Sequence, residues 1–265
     1  MSAKIPAGVI RGKRCIMGKS ENTKADTPDR IRHFGVWIKN TPTVHINREN
    51  YAPIDKNSST WSPRIGVLRK SFYKTVEQRK KIYDDEECKI YSDEWCAKHQ
   101  ENCLKNYDLN MAFFQSIQQE DFDKALLKLI NSTPKIREVF DLNEYKDKSG
   151  IYIMVLGKFK QVYIGQSTNI KKRIMQHWSK KKQFDRLIFG RIENSVLSID
   201  SFGALDTTQI FALEASWSDL DKKERLVAGK VPNDFKLNRV GTGSIYNLSD
   251  MLEVIANSNK RDLLN

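Results

Sequence analysis

The chain has 265 residues, 29% of them charged and 39% apolar, with a formal charge of +12 at pH 7. That length supports one large domain or two modest ones with a real core, and the positive excess favours a polyanionic partner, nucleic acid ahead of a membrane surface. No stretch approaches the roughly 20 apolar residues that span a bilayer, the N-terminus lacks the apolar run of a secretory signal, and four cysteines are too few for a disulfide framework, so we expect a cytoplasmic protein with no membrane partner.

Residues 1–60 are rich in Lys, Asn, Ser, Thr and Pro and read as partly flexible, with short strands around Phe34, Val36, Trp37 and Ile38 and again at Val44 and Ile46. Residues 63–142 read as mostly helical. Ser62 followed by Pro63 is a cap followed by a proline at the first helical position. Cys96, His99 and Cys103 stand at i, i+3 and i+7, on one face of a helix. With Cys88 they offer three thiolates and an imidazole to zinc, but structural zinc sites usually supply ligands in tight C-x-x-C pairs and none is present. Buried free cysteines are the preferred reading, and no metal is assigned there. Phe122, Ala125, Leu126, Leu129 and Ile130 form an amphipathic stripe that stops at Asn131-Ser132. Thr133-Pro134 then predicts a short helix through Phe140.

The pattern changes near Ser149. GIYIMVL and QVYIGQS, separated by a turn, predict an antiparallel hairpin. Residues Ser167 to Asn169 cap a helix from Ile170 to about Lys180. SVLSID and QIFALEAS both look like strands, a helix from about Ser218 to Ala228 follows, and a loop runs from Pro232 through Asn238. The predicted fold class is α+β. A small mixed or antiparallel three-stranded sheet flanked by helices (149–265) follows a mostly helical N-terminal region of unassigned role (1–148).

The hairpin and its helix concentrate chemistry. Tyr152 and Tyr163 fall on neighbouring strands, and Arg173 and His177, four residues apart, share a helix face. An arginine fork binds two phosphate oxygens and keeps its proton. A phenol with an ordinary pKa near 10 needs help to act as a base at neutral pH. Taken singly, these residues are ordinary strand aromatics and a solvated helix face. In this order they suit phosphodiester cleavage, which needs a base, a cation on the phosphate and a carboxylate for a divalent metal. Between Thr168 and Arg191 stand eight Lys or Arg residues and one acid, Asp185, with Trp178 among them. Lys171, Lys172, Lys180, Lys181, Lys182 and Arg186 are the candidates for phosphate-backbone contact.

Gly150-Ile151-Tyr152 and Tyr163-Ile164-Gly165, followed by Arg173 and His177, resemble the GIY-YIG nucleases over about Ser149 to Gly241. The resemblance implies a later helical Glu and a loop Asn, matched best by Glu224 and Asn238; Glu214 is the rival to Glu224. It further implies that Glu224 binds one Mg²⁺ or Mn²⁺, that Tyr152 takes a proton from the attacking water with His177 orienting or accepting, that Tyr163 and Arg173 position the phosphate, and that Asn238 holds the loop. Intron-homing members of that family usually place the nuclease module first, and here it comes last, which disfavours a homing role. The expectation is a divalent-metal-dependent endonuclease acting on double-stranded DNA, of restriction or host-defence type. The alternatives are a catalytically inactive nucleic-acid-binding protein, a repair or recombination nuclease, and an RNA-cleaving nuclease. A zinc-stabilised interaction protein built on the cysteine cluster is a further option.

Overall fold

Side-chain caps at Asn47, Ser62, Thr75, Ser92 and Asn169 start five of the helices. The computed structural model describes residues 29–73, 75–188 and 191–237; the expectations for residues 1–28 and for Asn238 lie outside them. Strands β1 (Arg30–His33) and β2 (Val36–Lys39) form an antiparallel hairpin. Its two turn residues, Phe34 and Gly35, both have positive φ, as the tightest hairpin loops require. Val44 and Ile46 are not a strand but lead into α1 (Arg48–Tyr51), whose Asn47 cap accepts from the Asn50 N–H.

Helix α2 (Pro63–Phe72) begins as predicted, Ser62 accepting from the Ile65 N–H. Thr75 then caps a separate helix, α3 (Val76–Lys80). Helix α4 (Asp93–Ser116) carries Cys96, His99 and Cys103, and α5 (Gln119–Asn131) ends where its apolar stripe ends.

Two expectations fail for local reasons. No helix runs from Thr133 to Phe140. The Thr133 hydroxyl instead donates back to the Leu129 carbonyl, closing α5, and Lys135 has φ +63, which interrupts any helix. The chain emerges as a two-residue strand, β3 (Arg137–Glu138), so the sheet has four strands rather than three, in the order β3, β6 (Gln209–Glu214), β4 (Gly150–Leu156), β5 (Gln161–Ser167). SVLSID is not a strand either. The Ser198 hydroxyl accepts from the Asp200 N–H and turns residues Ile199–Ser201 into a short 3-10 segment. Its alternating Leu197 and Ile199 are buried in the core, and that spacing imitated a strand.

The rest of the sheet follows the hairpin reading. Strands β4 (Gly150–Leu156) and β5 (Gln161–Ser167) pair antiparallel, and β6 (Gln209–Glu214) lies on the other side of β4. Helices α6 (Ile170–Ser179) and α7 (Leu220–Ala228) complete the unit. Alternation sorts the strand residues between two cores. Tyr152, Met154, Leu156, Ile210 and Ala212 join Ile170 and Ile174 of α6 in one. Ile151, Ile153, Val155, Val162, Ile164 and Phe211 join Leu220 and Val227 of α7 and Phe122 and Leu129 of α5 in the other.

The N-terminal section packs into the first core and grips the segment between α6 and β6. His33 Nε2 lies 3.1 Å from the Thr207 carbonyl, the Leu205 N–H donates to Val44 O, and Asp206 accepts from the Ile46 N–H. Asn110 donates to the Ser195 carbonyl, His99 Nε2 meets the Phe184 carbonyl at 2.6 Å, and Asp185 accepts from the Ser59 N–H. The described parts of that segment, 180–188 and 191–207, are therefore held from outside the sheet as well. No helix among the described residues is long and apolar enough to cross a membrane.

Candidate active site

The two name-giving glycines are steric necessities. Tyr152 pairs with Gly165 across β4 and β5, and the Tyr152 ring lies over the glycine, so a Cβ on Gly165 would collide with the phenol. A Cβ on Gly150 would collide with the Leu213 carbonyl of β6. The first glycine lets β6 close on β4, and the second leaves room for the tyrosine.

Tyr152 and Tyr163 share one sheet face, their ring centroids 6.1 Å apart. His177 arrives from α6, which starts at its Asn169 cap. Its Nε2 lies 2.7 Å from Tyr152 Oη, and the Tyr163 ring meets the imidazole edge-on at 5.1 Å. Tyr152 is 1% and His177 2% exposed. Arg173, one turn earlier, is exposed and faces both phenols and Asp200, which hold its guanidinium above the usual arginine range against the opposing effect of burial.

Desolvation dominates the electrostatics. Burial pushes the Tyr152 phenol well above its ordinary value; Tyr163 adds to that and Arg173 opposes it. Tyr163 is pushed up to about 12 by burial, with Arg173 pulling down and Glu224 and Asp200 pushing up. Burial lowers His177 below the ordinary imidazole value, although Asp200 pulls the other way.

Asp200 is the residue that sequence reasoning missed. It stands in the 3-10 turn of the misread segment, and its Oδ1 lies 2.5 Å from His177 Nδ1. Asp200 falls with Ser198 on the polar side of that alternation, where an acid is ordinary, so the local pattern carried no signal for it.

Glu224 sits on α7, whose apolar side belongs to the opposite core and which packs against β5, and its carboxyl raises the Tyr163 phenol. It is buried, and its carboxyl is raised to about 7 by that burial and by Asp221, with a hydrogen bond from Gln166 opposing. Gln166 also donates to Asp221. The rival, Glu214, is exposed at the end of β6 and ion-paired with Lys148 at 2.7 Å. A buried carboxylate with a second one turn away fits a hard cation of the Mg²⁺ kind, which takes one or two carboxylates and keeps several waters.

The basic stretch divides. Lys172, Lys180 and Lys181 are exposed, and Lys171, partly buried, donates to Asn143. Burial lowers Lys181. Lys182 is partly buried, and burial with Arg186 brings it down to about 8, opposed by Asp200 and Asp185. Trp178 packs against the β1–β2 hairpin, stacked on Phe34 and donating to Thr207 Oγ1. In the cysteine cluster, Cys88, Cys96 and Cys103 are buried free thiols, and no group of three or more His, Cys, Asp or Glu among the described residues is placed to hold a metal.

No curated protein and no solved structure matches the chain. Residues 148–226 match the family model of the GIY-YIG catalytic domain, a span containing both tyrosines, Arg173, His177, Asp200 and Glu224, and that match implies nuclease action on nucleic acid.

Proposed function

We propose that the protein is a divalent-metal-dependent endonuclease that hydrolyses phosphodiester bonds of double-stranded DNA, of restriction or host-defence type. The single observation that carries this reading is the buried Tyr152–His177 contact of 2.7 Å beside Tyr163 and the exposed Arg173. A base, its proton acceptor and a phosphate-binding fork stand together there. Tyr152 takes the proton of the attacking water as it passes its own to His177 Nε2. Arg173 neutralises the phosphate, and Tyr163 positions it. Glu224 would hold Mg²⁺ or Mn²⁺, with Asp221 beside it. When bound, the cation supplies charge stabilisation at the scissile phosphate and the departing oxygen. Asn238, outside the described residues, is proposed to hold the neighbouring loop.

Lys171, Lys172, Lys180 and Lys181 would follow the phosphate backbone, while the partly buried Lys182 and Arg186 contribute field around Asp200 and Asp185. Residues 1–148 would dock the substrate and choose the site, and their grip on the segment near 180–207 ties that choice to the catalytic residues. Incubation of the full chain with supercoiled plasmid, with Mg²⁺ or with chelator, tests the reading. Cleavage only with the metal is expected, and discrete fragments would mark sequence specificity. Intact plasmid under both conditions overturns it.

A further inference from the structure

We propose that Asp200 is a positioning residue of the cleavage reaction, its carboxylate holding His177 in the tautomer whose free nitrogen receives the Tyr152 proton. This rests on the nuclease reading of the same site. A carboxylate only accepts, so the 2.5 Å contact between Asp200 Oδ1 and His177 Nδ1 puts the imidazole hydrogen on Nδ1. Nε2 then presents a lone pair to the Tyr152 hydroxyl at 2.7 Å, and the phenol donates. With the opposite tautomer, Nε2 would carry the hydrogen and could accept nothing.

Burial makes the tautomer matter. Tyr152 is 1% exposed, and a phenol so desolvated does not persist as phenolate at neutral pH. It can act as a base only if its own proton leaves as another arrives. A water O–H bond breaks, the water oxygen bonds to phosphorus, and the released proton goes to Tyr152 Oη. The phenol proton moves to His177 Nε2, and the P–O bond to the leaving oxygen breaks with its electron pair. The imidazolium so formed faces the Asp200 carboxylate.

The placement of Asp200 is independently secured. Its carbonyl accepts from the Lys182 N–H, and Leu205 and Thr207 downstream are bonded to Val44 and His33 of the N-terminal section. A second pair in the chain, His45–Asp206 at 2.9 Å, is built the other way round. There the aspartate is buried and the histidine 54% exposed, and Asp206 also accepts from the Ile46 and Gly203 N–H groups, as a fold clamp does. At His177 the histidine side chain is 2% exposed, the carboxylate side chain is 34% exposed, and the far nitrogen meets a phenol. The charged and titratable groups facing His177 are Tyr152 of β4, Tyr163 of β5, Arg173 of its own helix and Asp200, with Lys182 and Arg186 behind Asp200.

The test combines ¹H–¹⁵N correlation spectra of the histidine rings with plasmid cleavage, on the full chain. Wild-type His177 is expected to carry its proton on Nδ1 at pH 7; a proton on Nε2, or a charged ring, overturns the proposal. In Asp200→Asn the amide can donate to Nδ1, so the ring proton should move to Nε2. Cleavage should then fall about a hundredfold or more, with DNA binding in chelator unchanged. Asp200→Glu, which keeps a carboxylate acceptor, should retain the Nδ1–H tautomer and a larger share of the activity. Undiminished cleavage by Asp200→Asn in a wild type that cleaves removes Asp200 alone from the account. Inactive wild-type protein removes the nuclease reading and this proposal together. Should Asp200→Asn fail to fold, the wild-type tautomer and Asp200→Glu decide.

Discussion

The two faces of the central sheet are made by alternate residues of the same strands, yet they do different work. On one face Ile151, Ile153, Val155 and Ile164 join Leu220 and Val227 of α7 in an apolar core, with Gln166 of β5 donating to Asp221 of α7. On the other, the same strands present Tyr152 and Tyr163 to an α6 that carries Arg173 and His177. The apolar core of the first face supplies hydrophobic stabilisation. The second buries a phenol and an imidazole at a desolvation cost that stability alone does not explain, and that cost is where the chemistry lies. Glu224 links the two electrostatically, a carboxyl on the helix of the apolar face that raises the Tyr163 phenol.

The comparison breaks most readily at Glu224. Glu224→Gln is nearly isosteric and removes the one buried acid at the site, so cleavage should drop by several kcal/mol of transition-state stabilisation, about a thousandfold. Wild-type protein should also melt at higher temperature in Mg²⁺, because a cation that binds only the folded form stabilises it, and the variant should lose that shift. Retained cleavage would place the metal carboxylate elsewhere. Next comes Tyr152→Phe. It removes one oxygen from the chemical face and keeps the ring's packing, so single-turnover cleavage should fall about a hundredfold. Its melting temperature should not fall by more than a lost hydrogen bond explains, about 1 kcal/mol. Ile153→Ala, the neighbouring residue on the apolar face and fully buried, should reverse that profile. Unfolding in urea should become easier by about 2–5 kcal/mol, while cleavage per folded molecule stays at the wild-type rate. If Ile153→Ala instead slowed cleavage, the division of labour between the faces would be wrong.

How far this was legible in the sequence depended on how local each signal was. The β4–β5 hairpin, the Asn169-capped helix and the Ser62-Pro63 helix start were readable because alternation, glycine and caps act within a few residues. The meeting of Tyr152 with His177 was anticipated from the family's order of motifs. Strand β3 was invisible: it is two exposed charged residues, Arg137 and Glu138, with no apolar period to betray them. Asp200 was hidden by a false period, Leu197 and Ile199 alternating as a strand would, while the contact that matters spans 23 residues of sequence. Its position depends on bonds from Val44 and His33, which local pattern does not encode. The basic stretch was legible as charge but not as burial, so Lys182 was read with the surface lysines although burial brings it down to about 8.

The smallest expected effect concerns those lysines, and it extends the comparison from the sheet to the surface beside it. Lys172 and Lys180 are exposed and stand near the start and just past the end of α6, the helix that carries Arg173 and His177. A lysine on the DNA backbone releases condensed counterions, and each such contact adds about 0.9 to the slope of log affinity against log salt. Lys172→Ala with Lys180→Ala should therefore lower that slope by about 2, with only modest weakening at physiological salt. The rate of the bound complex should not change, because neither residue is on the buried chemical face. Titration of a labelled duplex between low and moderate salt, in chelator, measures the slope. A slope that does not move would take the DNA track off this end of the sheet and place it on another face of the molecule.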